Sequence, residues 1–187
     1  MMQLRQMLAI GSALLLAACA SPATRFHTLD PVPGSAAPGR TVTPPVQLDS
    51  VTIPPELDRP QIVRRAGPGR LDLADSDRWA GALDELARHA LAADLAQRLG
   101  PGSTVRADDP APPKIVRGLD VQIELFEGDP SGKVTLLAHW TLLGAAQLGR
   151  EERIEVPAGT DIDATVNGMS QALGVLGDRI AAALSRT

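Results

Sequence analysis

The spacing of hydrophobic residues predicts two long amphipathic helices. Over residues 79–99, apolar side chains recur at steps of three, four or one, and Asp75 or Ser76 supplies a helix cap. A second helix is predicted over about residues 163–184. Its apolar stripe consists of Val166, Met169, Leu173, Leu176, Ile180 and Leu184. A helix with one apolar face packs that face against a neighbouring layer, so both helices are expected to cover a sheet.

Three glycines interrupt the second predicted helix. Gly168, Gly174 and Gly177 each cost about 1 kcal/mol relative to alanine in a helix interior. Close packing against a sheet or against a second subunit would offset that cost. The glycines therefore predict close approach of a neighbouring element, and they leave a homo-oligomer open.

Period-two alternation predicts the strands. Residues 119–125 alternate between apolar and polar, whereas residues 134–143 are apolar at nearly every position, which indicates a central strand covered on both faces. The acid-rich stretch 150–156 is typical of an edge strand. Shorter strands are predicted at 46–53 and 61–65. The order of elements predicts an α+β two-layer sandwich, with a four- or five-stranded sheet and two long helices on one face.

The N-terminus has the pattern of a secretory signal. One positive charge, Arg5, precedes an apolar run over residues 7–16 that is too short to span a bilayer. Small residues then lead to a cysteine in Leu16-Ala17-Ala18-Cys19, which resembles the lipobox of bacterial lipoproteins. The resemblance implies cleavage after residue 18 and acylation of Cys19 by fatty acids such as palmitate. The alternative is an ordinary signal or anchor with an incidental cysteine, but Cys19 is the only cysteine in the chain.

Composition divides the remaining chain into two parts. Six of the 16 prolines fall within residues 20–45, so residues 19–45 are predicted to be a lipidated N-terminus and proline-rich tether, interrupted by a short extended piece at 26–29. Fully extended, 26 residues reach about 85–95 Å. Residues 46–187 form the predicted folded domain.

Charge and motifs exclude several function classes. A formal net charge of −4 and the absence of tyrosine argue against nucleic acid as a partner. No catalytic, metal-binding or cofactor-binding motif is present, so no enzyme activity, metal or cofactor is expected. His139, beside Trp140, is predicted to be a hydrogen-bonded strand histidine, with an acid–base site as the alternative. Trp79 is expected in the core rather than as an exposed binding anchor.

One stretch of sequence is more specific. It is Val51-Thr52-Ile53-Pro54-Pro55-Glu56-Leu57-Asp58-Arg59-Pro60-Gln61-Ile62-Val63, followed by Asp77-Arg78-Trp79-Ala80-Gly81-Ala82-Leu83. The pattern resembles the ABC-type transport auxiliary lipoproteins, a family that includes the paraquat-inducible C lipoproteins. The chain departs from that pattern at Glu56, where many members have tyrosine, and at Phe26, where members often carry a Tyr-Tyr-x-Leu-like strand.

The resemblance implies a lipoprotein that binds rather than catalyses. Its expected partners are an MCE-domain protein and an ABC permease and ATPase, which together move lipids or other hydrophobic molecules across the cell envelope. Aspartate after the lipidated cysteine resembles an inner-membrane retention signal, whereas this chain has Ala20. The expected location is therefore the periplasmic face of the outer membrane, with Cys19 anchored in its lipid.

Two surfaces are candidates for partner binding. The first is the turn that contains Leu57, Asp58, Arg59 and Gln61. The second is the charged edge strand over Glu151–Glu155, in which Glu151 and Glu155 are the candidate contact residues. One rival function is an adaptor or regulator of another envelope machine, for cell-wall synthesis or outer-membrane assembly. Another is a lipid-anchored hydrolase, which would require a cleft with convergent polar groups around His139.

Overall fold

A computed structural model describes residues 23–34, 40–105, 113–144 and 148–186. The predicted signal peptide (residues 1–18), Cys19 and the segments 20–22 and 35–39 of the predicted tether lie outside the described residues. In chain order the elements are β1 (Arg25–His27), β2 (Val46–Thr52), β3 (Gln61–Gly67), β4 (Arg70–Trp79), α1 (Leu83–Arg98), β5 (Thr104–Val105), β6 (Arg117–Gly128), β7 (Lys133–Leu142), β8 (Leu148–Pro157) and α2 (Ile162–Leu184).

The larger of two sheets has five strands, in the order β5-β2-β6-β7-β8. β6, β7 and β8 form an antiparallel meander, and β2 pairs parallel with both β5 and β6. The two helices contact each other, α2 packs on β6, β7 and β8, and α1 packs on β2. The predicted α+β sandwich is confirmed.

β7 is central, as predicted, but its two faces differ. Val134, Leu136, Ala138 and Trp140 are buried, whereas His139 between them is exposed. The apolar run in the sequence suggested cover on both faces. The structure instead buries alternate positions over residues 136–142, as expected for a strand with helices on one side, and it buries three consecutive residues, 134–136, near the start of the strand.

The close packing predicted for the glycines of α2 is present. A Cβ atom added to Gly168 would lie 2.6 Å from the Cβ of Ala158 and 2.9 Å from a methyl of Val134 on β7. A Cβ added to Gly174 would lie 2.9 Å from the Cβ of Val32. The glycines therefore let α2 approach both the sheet and the N-terminal segment. Asp161 caps the helix by accepting a hydrogen bond from the Ala164 amide at 2.7 Å.

The start of the first helix differs from the prediction. α1 begins at Leu83, after the N-cap Ala82, and the two residues proposed as caps, Asp75 and Ser76, lie within strand β4. Trp79 is the last residue of that strand and is buried, which confirms its core position but not its helical one. The apolar spacing of residues 79–83 fits a helix, but the backbone of Trp79 is held in a strand by pairing with His27.

β4 belongs to a second sheet, of three strands in the order β1-β4-β3, which the sequence did not predict. β1 and the residues after it come from the predicted tether. Leu29 and Val42 are buried in the core, and the amide of Val32 donates a hydrogen bond to Asp94 of α1 at 2.8 Å. Much of the described part of residues 19–45 is therefore packed on the domain, because its few apolar residues fill positions between the helices and sheets.

No helix among the described residues is both long enough and apolar enough to cross a membrane.

Candidate functional site

The turn between β2 and β3 is built on prolines. Pro54 and Pro55 follow β2, and their carbonyl groups accept hydrogen bonds from the amides of Leu57 and Asp58 at 3.0 and 3.2 Å. Leu57 is buried, so it anchors the turn and is not available to a partner. Asp58 and Arg59 are exposed at its tip. Of the candidate contact residues in this turn, Leu57 therefore holds the turn in place, whereas Asp58 and Arg59 are exposed on its surface.

An open cleft lies beside this turn, with a volume of about 350 Å³. The amide of Trp79 donates a hydrogen bond to the carbonyl of Pro60 at 2.7 Å, which joins the turn to the end of β4. The start of α1 forms the other wall, and no side chain caps it at Ala82. The lining residues are Asp58, Arg59, Pro60, Trp79, Ala80, Gly81, Ala82 and Leu83. Small and apolar residues line most of the cleft, with one acid and one base at its rim.

Gln61 lies at the other end of the turn, as the first residue of β3. It is partly buried, and its partner in register is Arg78 of β4. Gln61 is therefore in the three-stranded sheet and does not line the cleft with Asp58 and Arg59.

The second candidate surface, strand β8, is an edge strand, as predicted. It is ten residues long, and among the described strands it pairs only with β7. Glu151 and Glu155 are exposed on it. The Lys133 ammonium lies 3.0 Å from the Glu155 carboxylate and holds the pKa of that carboxyl below its usual value. Glu151 is next to His139 in the register of the sheet. An edge of this length can accept an additional strand.

The structure does not bring the two surfaces together. The turn follows β2, and two strands, β6 and β7, separate β2 from β8. A single small partner element could not occupy both, so each is a separate candidate.

The sequence did not predict a third cluster, centred on His27. The Nε2 atom of His27 lies 2.7 Å from Oδ1 of Asp77, and Nε of Arg25 donates to the same oxygen at 2.8 Å. Nδ1 of His27 lies 3.6 Å from Asp163 at the start of α2. The cluster fastens β1 to β4 and α2. The partners of His27 are about 50 and 136 positions away along the chain, so local sequence patterns could not reveal the cluster. The only related prediction was the short extended piece at 26–29.

The Arg25 guanidinium, by hydrogen bonding, holds the pKa of the Asp77 carboxyl below its ordinary value. A carboxyl whose pKa is lowered by folding stabilises the protein above its unfolded pKa of about 3.9, and this contribution disappears as the pH falls through the folded value. Asp77→Asn is therefore expected to lower the free energy of unfolding by about 1–3 kcal/mol at pH 7. The loss of stability below about pH 4 should become shallower.

Urea unfolding at pH 7 and pH 3 measures both effects. Asp72→Asn, on the same strand but 60% exposed, is the control and should change neither. An unchanged acid dependence in Asp77→Asn would contradict the assignment.

The residues considered for catalysis do not converge. His139 is exposed on β7, beside Gln122 and Glu151 in register, and no hydrogen bond to its side chain is present among the described residues. The prediction of a hydrogen-bonded histidine was therefore wrong, because the sheet face on which it lies is open to water. Asp72 and Asp75 are also exposed. The described part of the chain contains no group of three or more His, Cys, Asp or Glu residues able to hold a metal ion.

An open cleft with a charged rim and a long edge strand are surfaces suited to binding, although the Arg179 side chain donates a hydrogen bond to the Arg153 carbonyl of β8. The sequence model of the ABC-type transport auxiliary lipoprotein component family matches residues 27–181. The chain belongs to that family, which is a transport auxiliary component and not a known class of enzyme. The match begins within β1, so it includes the N-terminal segment that packs on the domain.

Two of the solved structures that are similar to this chain cover most of its length. One, a crystal structure of an uncharacterized protein, is 23% identical and covers 87% of this chain and 99% of its own, with a TM-score of 0.70. The other is a Xanthomonas campestris protein of the DUF330 family, 19% identical, covering 84% of this chain and 91% of its own, with a TM-score of 0.63. At these identities the likeness supports the fold alone. No curated protein matches this chain.

Proposed function

We propose that this protein is a lipid-anchored, non-catalytic component of an ABC-type transport system that moves lipids or other hydrophobic molecules across the cell envelope. The observation that carries the proposal is the family match over residues 27–181. The anchor is the acylated Cys19, in the periplasmic face of the outer membrane. The partner is an MCE-domain protein associated with the permease and ATPase.

The anchor and the fold together define how such a component is held. β1 begins at Arg25, so in this proposal only residues 20–24 lie between Cys19 and the first strand of the domain. A linker that short keeps the domain beside its own membrane, and the transport complex must approach the domain there. This differs from a domain on a tether of up to about 85–95 Å, which the proline content alone suggested.

The turn and its cleft are the first docking surface in this proposal. Asp58 and Arg59 are exposed, and no hydrogen bond or ion pair to either side chain is present among the described residues. Charged side chains that form no ion pair within the domain, at the rim of an apolar cleft, are suited to pair with charges on another protein and to fix how that protein docks. The β8 edge, with Glu151 and Glu155, is the second surface, suited to strand addition.

Arg59→Glu tests the first surface. We expect charge reversal to reduce the MCE-domain protein recovered with this lipoprotein by about tenfold or more, since that factor corresponds to about 1.4 kcal/mol and placing like charges together at a docking site costs several kcal/mol. The measurement is quantitative mass spectrometry of complexes isolated from native membranes.

The matched control for Arg59→Glu is Arg70→Glu, another exposed arginine outside the cleft. Recovery of the partner should be unchanged in that variant. Equal recovery with Arg59→Glu and with the native chain would exclude the turn as a docking surface.

A further inference from the structure

The N-terminal strand presents an exposed aromatic side chain very close to the expected lipid anchor. Phe26 is 68% exposed, the second most exposed of the large apolar side chains that are exposed in the described part of the chain. Only six residue steps separate Cys19 from Arg25, and six fully extended residues span at most about 22 Å. Phe26 is therefore held within a short distance of the acyl chains, if Cys19 carries them as proposed above.

The orientation of Phe26 is fixed by the sheet. Arg25 and His27 point toward Asp77, to which both bond, so Phe26 between them points to the opposite face. In register, Phe26 lies beside Arg78 of β4, and Arg78 lies beside Gln61 of β3. Residues in register share a face of the sheet. The three side chains form one row, which we call the Phe26 row.

The Phe26 row combines an apolar group with a free positive charge. No hydrogen bond or ion pair to the Arg78 guanidinium is present among the residues that the structure describes. Adjacent strands lie about 4.8 Å apart, so the side chains of Phe26 and Arg78 leave the same face of the sheet next to each other. An aromatic or apolar group beside a cation matches the boundary between acyl chains and anionic phospholipid headgroups.

β1 cannot leave the domain easily. Two side-chain contacts to Asp77, pairing with β4 and the buried Leu29 all hold it. Because the anchor attaches to a strand that is fixed in a sheet, the anchor also fixes which surface of the domain is near the bilayer. A weak surface contact is sufficient under these conditions, since a short linker gives an effective concentration in the millimolar range.

We infer that the Phe26 row rests on the headgroups of the leaflet that holds the acylated Cys19, and that this contact orients the domain on the membrane. The inference depends on the proposed lipid anchor, but not on the identity of the transport partner. The ligand is anionic phospholipid, which Arg78 recognises by charge and Phe26 by insertion among the acyl chains.

The test uses the full processed protein with a Phe26→Cys substitution. The only native cysteine is the lipidated one, so the new thiol can be labelled alone with an environment-sensitive fluorophore. The labelled protein is placed in vesicles of phosphatidylethanolamine and phosphatidylglycerol that contain a nitroxide-labelled lipid. The control is Ile115→Cys, at a position that is 69% exposed and lies before β6 of the other sheet.

We expect blue-shifted fluorescence and strong quenching at position 26, with neither at position 115. Arg78→Gln should reduce the quenching at position 26 in vesicles with phosphatidylglycerol, and Arg70→Gln should not. Equal quenching at the two positions, stronger quenching at position 115, or protection of position 26 only when a transport partner is added would each overturn the inference.

Mass spectrometry of the same samples distinguishes failure of the lipid anchor from failure of the membrane contact. Acylated protein without quenching at position 26 overturns the membrane contact and leaves the anchor intact. Protein without acyl chains overturns both the anchor and the contact.

Discussion

Arg98→Ala is expected to lower the free energy of unfolding by about 3–5 kcal/mol, because it leaves a buried carboxylate without its cation. Asp94 is completely buried, and one of its oxygens, Oδ2, has no partner among the described residues. Its other oxygen accepts from Arg98 at 3.1 Å. Burial raises the pKa of the Asp94 carboxyl.

Arg98 also joins three parts of the chain. Its guanidinium donates to the carbonyl of Val32 at 3.0 Å and to Asp178 of α2 at 2.6 Å, in addition to Asp94 of α1. Loss of Arg98 therefore loosens the N-terminal segment from both helices at once. Urea or thermal unfolding followed by circular dichroism measures the loss.

Arg88→Ala is the matched control for Arg98→Ala. Arg88 lies on the same helix and pairs with Glu85 at 2.6 Å, but that pair is solvent-accessible and is expected to contribute about 0–1 kcal/mol. A second comparison replaces Asp94 and Arg98 together with apolar residues of similar volume, which should recover much of the stability. If Arg98→Ala and Arg88→Ala lower the free energy of unfolding equally, the buried contacts of Arg98 do not stabilise the fold as proposed.

Cys19→Ser is expected to abolish acylation, leave an unprocessed precursor and remove the protein from the outer membrane. The sequence Leu16-Ala17-Ala18-Cys19 provides only one sulfur for the acyl chains, and no other cysteine can replace it. Each CH₂ buried in the bilayer contributes about 0.8 kcal/mol to membrane binding, so two or more acyl chains anchor a protein stably. Loss of all the chains is therefore expected to abolish anchoring and not merely to weaken it. Fatty-acid labelling and sucrose-gradient fractionation measure the result.

Two variants at neighbouring positions complete this test. Ala23→Ser should leave labelling and location unchanged. Ala20→Asp places an acid directly after the lipidated cysteine and should retain the acylated protein in the inner membrane. Normal labelling of Cys19→Ser would refute the anchor, and recovery of the native protein in inner-membrane fractions would refute its proposed location.

The elements that could be predicted from the sequence are those with a clear hydrophobic period. The stripe of α2, the meander β6–β8 and the charged edge at β8 were all predicted at nearly their observed bounds. Each shows its period over seven residues or more, and each packs against a neighbour in the same half of the chain. The close packing predicted from the glycines of α2 is also present in the structure.

The errors at β1 and β4 arise where strand pairing overrides the local sequence signal. Part of β4 was assigned to the first helix because Asp75 and Ser76 suit a helix cap, whereas β4 pairs with β3 and its end pairs with β1. β1 was assigned to a tether because its neighbourhood is rich in proline. An extended piece was predicted at residues 26–29, but a strand of three residues shows too little periodicity for its pairing with a distant strand to be inferred.

The candidate site was predicted in part. The motif around Asp58 and Arg59 does form an exposed turn, and β8 is an edge strand. Burial of Leu57 could not be inferred, since an apolar residue in a proline-bounded turn fits an anchor and an exposed contact equally well. The cleft was not predictable either, because its walls, the turn and the start of α1, come together only in the folded chain.

The measurement that tests the central claim most directly is crosslinking of the native lipoprotein in intact cells, followed by its isolation from membranes and identification of the attached proteins. The account predicts enrichment of an MCE-domain protein together with its permease, and loss of that enrichment in Arg59→Glu but not in Arg70→Glu. Enrichment of cell-wall synthesis or outer-membrane assembly proteins instead, with no MCE-domain or permease protein, would contradict it.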